Sequence, residues 1–266
     1  MKTDINIRDA WQSANPYEYY MGRWSSLVAD KFIVWLSVPS QLKFLDAGCG
    51  SGALSKAIID KHASADILAI DQSEGFVTMT QERLGSHVQC KVDNALSLFL
   101  DDDSVNVAVS GLVLNFIPRP DKVIAELKRV TSTGGSIGVY VWDYTEKMEF
   151  LTQFWNVAVE LNPKASNLHE ANRFPEFTGE GLEKLFEKAG LNNIETAPID
   201  IDTTFKSFDD YWKPFLGGQG PAPSYVATLE RVEIEKLRDT LKDRLPIQTD
   251  GSIPMAARAW AAKGIV

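Results

Sequence analysis

The sequence predicts an α/β fold, a mostly parallel sheet with helices on both faces, on three observations. Short apolar runs alternate with amphipathic stretches of helical length from about residue 43 to residue 143. The first such run breaks into a glycine-rich turn, "FLDAGCGSGALSKAIID" (44–60), which resumes as a helical pattern. No internal repeat or low-complexity segment competes with that alternation. Strands and helices in regular succession imply βαβ units, whose crossovers place helices over a parallel sheet.

Taken in order, the first 36 residues read mostly as helix with a kink at "NPYEYYMGRWS". "KFLDA" (43–47) is the first buried strand, followed by a helix over 52–62. "DILAID" (66–71), a helix over 75–84, "VQCKV" (88–92) and "VNVAVSG" (105–111) continue the pattern. Pro118 and Pro120 precede a helix over 120–130, and the glycines of "TSTGG" (131–135) can take its left-handed C-cap. "SIGVYVW" (136–142) is the fifth strand. Glu126 and Arg129, three apart, read as a solvated pair on the helix surface, and Asp101–Asp103 as a solvated turn.

Beyond Trp142 the regularity changes. "MEFLTQFWNVAVEL" is helical, and Phe154 and Trp155 within it read as core. "TGEGLEKLFEKAG" (178–190) is a helix closed by Gly190, with a strand in "NNIETAPIDI" and a further helical run over 228–245. The glycines and prolines of "LGGQGPAPSY" (216–225) mark a loop.

Composition bounds the function. With 266 residues, 44% apolar and 24% charged, the chain can bury a sizeable core as one large domain or one domain with a cap. Its 36 acidic against 27 basic residues give a net charge of −9, which argues against nucleic acid as a partner. The cysteines, Cys49 and Cys90, and the histidines, His62, His87 and His169, are too scattered for a metal site. No apolar stretch suits a signal peptide or a membrane span, so a cytoplasmic, reducing setting is expected and no membrane partner.

A strand running into glycines and then a helix brings backbone N–H groups and a positive helix end together where a ligand can approach. Dinucleotide sites use G-x-G-x-x-G, whereas Gly48, Gly50 and Gly52 follow G-x-G-x-G behind Asp46. A carboxylate there disfavours a pyrophosphate and suits a ligand with a positive charge. Asp71 ends the second strand 19 residues beyond Gly52, placed to accept from ribose hydroxyls. Asp93 follows the third strand. Any one of these acids could be a turn or cap residue; three at the carboxyl ends of consecutive strands point to a ligand at that edge.

"FLDAGCGSG", "AIDQSEGFVTMTQERL", "CKVDNALSL" and "ELKRVTSTGG", in this order over roughly 40–142, resemble the class I S-adenosylmethionine-dependent methyltransferases, in the branch similar to quinone-biosynthesis enzymes. "YEYYMGRWS" resembles the lead-in of a bacterial subset of them. The resemblance implies S-adenosylmethionine as cofactor, S-adenosylhomocysteine as product, and a Rossmann-like seven-stranded sheet whose last strand, near 253–263, is antiparallel. It implies a helical segment at 1–36 closing over the cofactor, a core of 37–142, 179–205 and 251–266, and cap insertions at 143–178 and 206–250.

The resemblance also implies roles. Asp46, Gly48 and Gly50 would face the methionine part, Asp71 the ribose, and Gln72, Asp93, Asn94 and Ala95 the adenine. Ser110, Gly111 and Leu112 would run toward the methyl group, and Tyr20 and Arg23 would close over it. Arg23 reads either as a partner for the cofactor carboxylate or as a surface ion pair. For the acceptor, Trp142, Tyr144, Tyr211 and Trp212 are expected from their place beside the carboxyl edge or the loose loop, with Tyr17 and Trp24 from the N-terminal segment, suiting a small, partly apolar or aromatic molecule. His169 and Arg173 could meet an acidic group on it, or belong to an ordinary loop. Related sequences often carry a histidine or other polar residue after the fourth strand, where "GLVLNFIPRP" offers Asn115; an amide is a poor proton acceptor, so no catalytic base is assigned. Two rival readings stay open: an NAD-dependent oxidoreductase, and a non-catalytic protein that binds S-adenosylmethionine to regulate.

Overall fold

A computed structural model describes residues 18–218 and 220–266. Tyr17, expected near the acceptor, lies outside the described residues, as does Gln219. The strands are β1 (Lys43–Ala47), β2 (Asp66–Asp71), β3 (Gln89–Val92), β4 (Val105–Gly111), β5 (Thr131–Trp142), β6 (Asn192–Asp202) and β7 (Ala256–Ile265). The longer helices are α1 (Arg23–Leu36), α2 (Ala53–Lys61), α3 (Glu74–Leu84), α4 (Pro120–Val130), α5 (Glu149–Leu161), α6 (Gly179–Lys188) and α7 (Arg231–Arg244). The kink expected at the N-terminal helix is a π-helical turn, Glu18–Gly22, leading into α1.

The chain divides into two compact units. One comprises Gly22–Trp142, Glu176–Asp200 and Arg258–Val266. It carries the sheet, in the order β3-β2-β1-β4-β5-β7-β6. β1 pairs in parallel with β2 from Lys43↔Asp66 to Ala47↔Ile70, and with β4 from Phe44↔Val107 to Asp46↔Val109. The strand order therefore reverses direction between β1 and β4, which opens a crevice at their carboxyl ends. β7 runs antiparallel to β5, from Ser136↔Ile265 to Trp142↔Ala259, so the antiparallel last strand is present a few residues later than expected.

Burial explains why these runs are strands: Phe44, Leu45, Asp46 and Ala47 are all inaccessible to solvent, as a strand covered on both faces requires. Two glycines show the coverage. Gly138 of β5 lies against Phe32 and Leu36 of α1, and Gly264 of β7 against Phe186 of α6. Gly138 pairs with Lys263, so Gly264 points to the opposite face. α1 and α6 thus cover opposite sides. α2 packs beside α1, and α4 is tied to the end of α6 by Lys128 Nζ, which donates to the carbonyls of Ala189 and Gly190 at 2.8 and 2.8 Å.

The structure revises two expectations here. The glycines of "TSTGG" do not cap α4: its C-cap is Thr131, already extended, and Gly134 (φ +81°) sits in an irregularity of β5 instead. The Glu126–Arg129 pair is more than a solvated contact. Arg129 Nη2 and Nη1 donate to the carbonyls of Leu98 and Leu100 at 3.0 and 2.7 Å, and Nη1 also reaches Asp102 Oδ1 at 2.7 Å. Glu126 Oε2 accepts from Leu98 N at 2.8 Å. α4 thereby holds the turn that follows β3.

The other unit comprises the described part of Met1–Met21 with Asp143–Pro175 and Ile201–Ala257. Its interior is aromatic. Phe154 and Phe215 stack with ring centroids 4.5 Å apart, and Tyr211, fully buried, donates its hydroxyl to Phe150 O at 2.9 Å. Trp155 Nε1 donates to buried Glu170, so Phe154 and Trp155 are core as expected. Part of the expected 216–225 loop is a helix, Pro221–Val226, with proline in its first turn where no N–H is required.

Arg129→Met is expected to lower the unfolding free energy by about 1–3 kcal/mol, because two half-buried carbonyls lose a charged donor. Urea titration of the variant checks this, and Glu126→Gln should lose less.

Candidate functional site

The site builds up from the turn after β1. The N–H groups of Gly48 and Cys49 both donate to Ile70 O at the end of β2, each at 2.8 Å. Gly50 N donates to Asp71 Oδ2 at 3.0 Å, and Ser73 N to Asp71 Oδ1 at 2.9 Å. Thr80 of α3 donates its hydroxyl to Gly50 O at 2.8 Å. Gly48 and Gly50 have φ of +82° and +52°, a region that costs other residues about 1–2 kcal/mol. A Cβ on Gly48 would come within 2.7 Å of the Val113 side chain, so the β4–α4 loop is laid against this turn. A Cβ on Gly50 would meet nothing within 4 Å, so open space adjoins the backbone there.

Asp46 lies beneath the turn and is inaccessible to solvent. Its Oδ2 accepts from Ser55 of α2 at 2.6 Å, and its Oδ1 is buried with no partner. Burial pushes its carboxyl up to about 7; the Ser55 hydroxyl opposes this and the Asp71 charge adds to it. Asp71 is also raised by burial, against the pull of the Ser73 and Gly50 N–H groups. Two carboxyls held above the usual range, one with a free buried oxygen, make a site that a positively charged group would stabilise. Cys49 is no nucleophile: burial, followed by the Asp46 and Asp71 charges, pushes its thiol up.

The other expected site residues of this unit are Gln72, Asp93–Ala95, Ser110–Leu112, Arg23, Trp24 and Trp142. Asp93 lies at the end of β3, but its two oxygens accept from Asn94 N at 2.8 Å and Phe99 N at 3.0 Å, and Asn94 Oδ1 accepts from Leu96 N at 2.9 Å. They shape the turn after β3, with Ala95 inside it. Gln72 follows Asp71 and is exposed. Ser110 donates to Ala47 O at 2.7 Å, binding the ends of β4 and β1 together, with Gly111 next in the strand. Leu112 has φ +61°, uncommon for a branched side chain, and donates its N–H to Tyr140 O at 2.7 Å. Trp24 and Trp142 are buried, and the Arg23 guanidinium lies 4.4 Å over the Trp24 ring.

Tyr20, Tyr144, Tyr211 and Trp212 belong to the other unit. Tyr20 packs edge-on to Phe150 and Phe215, with centroids at 6.3 and 5.7 Å, and Tyr144 lies 5.9 Å from Phe174. The structure gives Tyr211 a packing role instead of the free face expected beside a loose loop. Its ring lies 5.2 Å from Phe205 and from Phe215, and Trp212 is buried beside Phe215.

Sequence reasoning missed Ser55, Thr80 and Val113. Ser55 and Thr80 are small polar residues at buried helix positions, a pattern that signals a local partner without naming it. Val113 carries no signal of its own. A cleft of about 340 Å³, lined by His62, Asp66, Ser86 and His87 among others, lies at the amino-terminal edge of β2 and β3, away from these residues. Among the described residues no cluster of three or more His, Cys, Asp or Glu could hold a metal ion, and no helix is long and apolar enough to cross a membrane.

Comparison with known proteins fits this geometry. Residues 45–139 match the family model of the methyltransferase domain. The demethylmenaquinone methyltransferase of Bacillus licheniformis is 26% identical over 185 residues, spanning 64% of this chain and 79% of the relative. The 2-methyl-6-phytyl-1,4-hydroquinone methyltransferase of Synechocystis sp. is 26% identical over 218 residues, 80% of this chain and 64% of the relative. The phosphoethanolamine N-methyltransferase 2 of Haemonchus contortus, solved with S-adenosyl-L-methionine, shares the fold with a TM-score of 0.56 at 14% identity, over 94% of this chain and 56% of that one. The dinucleotide and non-enzymatic readings fall away: residues 45–139 carry the methyltransferase domain of an S-adenosylmethionine-dependent enzyme, and the chain is similar to the quinone-type methyltransferases over most of its length.

Proposed function

We propose that the protein transfers a methyl group by in-line displacement to a small, partly apolar or aromatic acceptor of the hydroquinone type, with the cofactor held at the carboxyl ends of β1, β2 and β4. The observation that carries the cofactor placement is the unpartnered, fully buried Oδ1 of Asp46 beneath a turn whose Gly50 leaves space against its backbone. The acceptor class rests on the two quinone-type relatives.

When bound, S-adenosylmethionine supplies an electrophilic methyl on a sulfonium. The chain's own residues bind and orient. Asp46 meets the amino group, and Asp71 has capacity for both ribose hydroxyls because a carboxylate offers about four lone-pair sites and the turn uses two. Gln72, Asp93, Asn94 and Ala95 border the adenine. Gly111 and Leu112 continue toward the transferred group, and Arg23 meets the carboxylate. No residue here is assigned the work of a base; positioning alone supplies on the order of 7–11 kcal/mol in favourable intramolecular cases.

Calorimetry should show micromolar binding of S-adenosylmethionine and S-adenosylhomocysteine and none of NAD. Asp71→Ala is expected to weaken both by at least about tenfold, the worth of one good charged hydrogen bond. Equal binding by wild type and variant would remove Asp71 from the site.

Asp46 gives a pH dependence whose sign is fixed. Its folded-state pKa of about 7 exceeds the ordinary carboxylate value near 3.9, so the folded protein keeps a proton that the unfolded chain releases. Stability from this group is full below about pH 4, falls as pH rises, and is lost above about 7. Asp46→Asn should therefore gain on wild type between pH 5 and 8 by on the order of 1–3 kcal/mol in urea titrations without ligand. A cationic amino group beside Asp46 favours its ionised form. Wild type should thus release a proton on binding S-adenosylhomocysteine at pH 6–6.5, seen as a buffer-dependent enthalpy, and the variant should not.

A further inference from the structure

We propose that the side-chain amide of Asn115 binds an oxygen function, a hydroxyl or carbonyl, of the methyl acceptor. The inference rests on the methyltransferase reading above and adds to it a residue and a chemical requirement on the acceptor.

Asn115 is only 4% exposed, and both its Oδ1 and its Nδ2 are buried without a hydrogen-bond partner. Leaving a buried amide unpaired is unfavourable on both its donor and its acceptor side, so nearly all such groups in folded proteins have partners. The surrounding chain gives this one little freedom to find them. Leu112 N is bound to Tyr140 O, Val113 lies against the Gly48 turn, and Leu114 has no exposure. Phe116 N and Ile117 N close on the carbonyls of Val113 and Leu114 at 2.9 and 3.2 Å. Leu112, three residues before the amide, is held at φ +61°. Strain and an unmet polar group within four residues mark a segment built for something other than stability.

The place and the chemistry narrow what that is. Asn115 sits in the loop that leaves β4 at the carboxyl edge, the loop that touches the glycine turn. A carboxamide stays neutral, donates through Nδ2 and accepts through Oδ1, and does not take up a proton at ordinary pH. It therefore matches an uncharged oxygen that accepts or donates a hydrogen bond, and it orients the acceptor without deprotonating it. A phenolic or quinol ring has such an oxygen; an aliphatic amine does not.

The test uses the whole protein with Asn115→Leu, nearly the same shape without polar atoms, and Asn115→Ser, which keeps a hydroxyl but shortens the reach. Three quantities are read: the thermal midpoint without ligand, the affinity for S-adenosylhomocysteine, and the affinity of the S-adenosylhomocysteine complex for 1,4-naphthohydroquinone kept reduced under argon. The expected result is a midpoint for Asn115→Leu at or above wild type, S-adenosylhomocysteine affinity within threefold for both variants, and naphthohydroquinone affinity at least tenfold weaker in both. A clearly lower midpoint for Asn115→Leu would make the amide a structural group, satisfied by sealed-in water, and overturn the proposal. So would weakened S-adenosylhomocysteine binding, which would move Asn115 to the cofactor. Naphthohydroquinone binding that is equal in all three proteins, or absent in a wild type that binds S-adenosylhomocysteine, also overturns it. Failure of wild type to bind S-adenosylhomocysteine would instead remove the cofactor reading itself, and the proposal with it.

Discussion

The clasp between the first glycine turn and the end of β2 is the constraint on which the rest of the site depends. Two N–H groups of the turn share the Ile70 carbonyl, and a third takes Asp71 Oδ2. Those bonds require the chain to fold back immediately after β1, which only residues at ease with positive φ do without strain. The turn is fixed to its neighbour strand before any ligand arrives, at the edge where strand order reverses. Asp71 is part of that architecture as well as of the proposed site. A single carboxylate can serve both because its geometry leaves lone pairs beyond the two it spends on the backbone.

The same compactness creates an electrostatic cost. The Asp71 charge opposes ionisation of Asp46, and burial disfavours both ionised forms. A sequence selected for stability alone would place an asparagine or an apolar residue at position 46. Retaining an acid whose second oxygen has no partner makes sense where a cation completes the arrangement. Functional sites in this way hold features that weaken the empty protein and are compensated by binding.

The alternating core was legible because buried parallel strands and their crossover helices have distinct periods and glycine punctuation; β1, β2 and β4 fall where the apolar runs place them. Asp46 and Asp71 were legible because strand ends fix a side chain's position to within a residue. What hid from the sequence depends on partners far along the chain. Arg129 reads as one half of an i,i+3 pair, yet two of its acceptors are carbonyls 31 and 29 residues away. The glycines of "TSTGG" suit a helix cap and a strand irregularity equally well, and only pairing with β4 decides between them. Tyr211 sits in a stretch rich in turn residues, but its hydroxyl reaches Phe150 O, 61 residues away, and its ring enters a core that no period announces. The isolation of Asn115 could not be read at all, because a missing partner has no sequence signature.

The absence of a legible base is consistent with how this edge is constructed. Proton transfer calls for an ionisable group tuned near neutrality and exposed to the acceptor. Asp46, raised to about 7, is buried with one oxygen committed to Ser55. The chain instead commits backbone to this edge: Ser110 joins β4 to β1, Leu112 joins the following loop to β5, and Val113 sets that loop on the glycine turn. Each tie removes freedom from a segment bordering the site, and none adds an ionisable group. Rigid placement of this kind is what methyl transfer requires when the leaving group is already activated, since the remaining barrier is largely one of alignment. An acceptor that meets the cofactor already ionised, as a quinolate whose proton has gone to solvent, would leave alignment as the protein's main contribution.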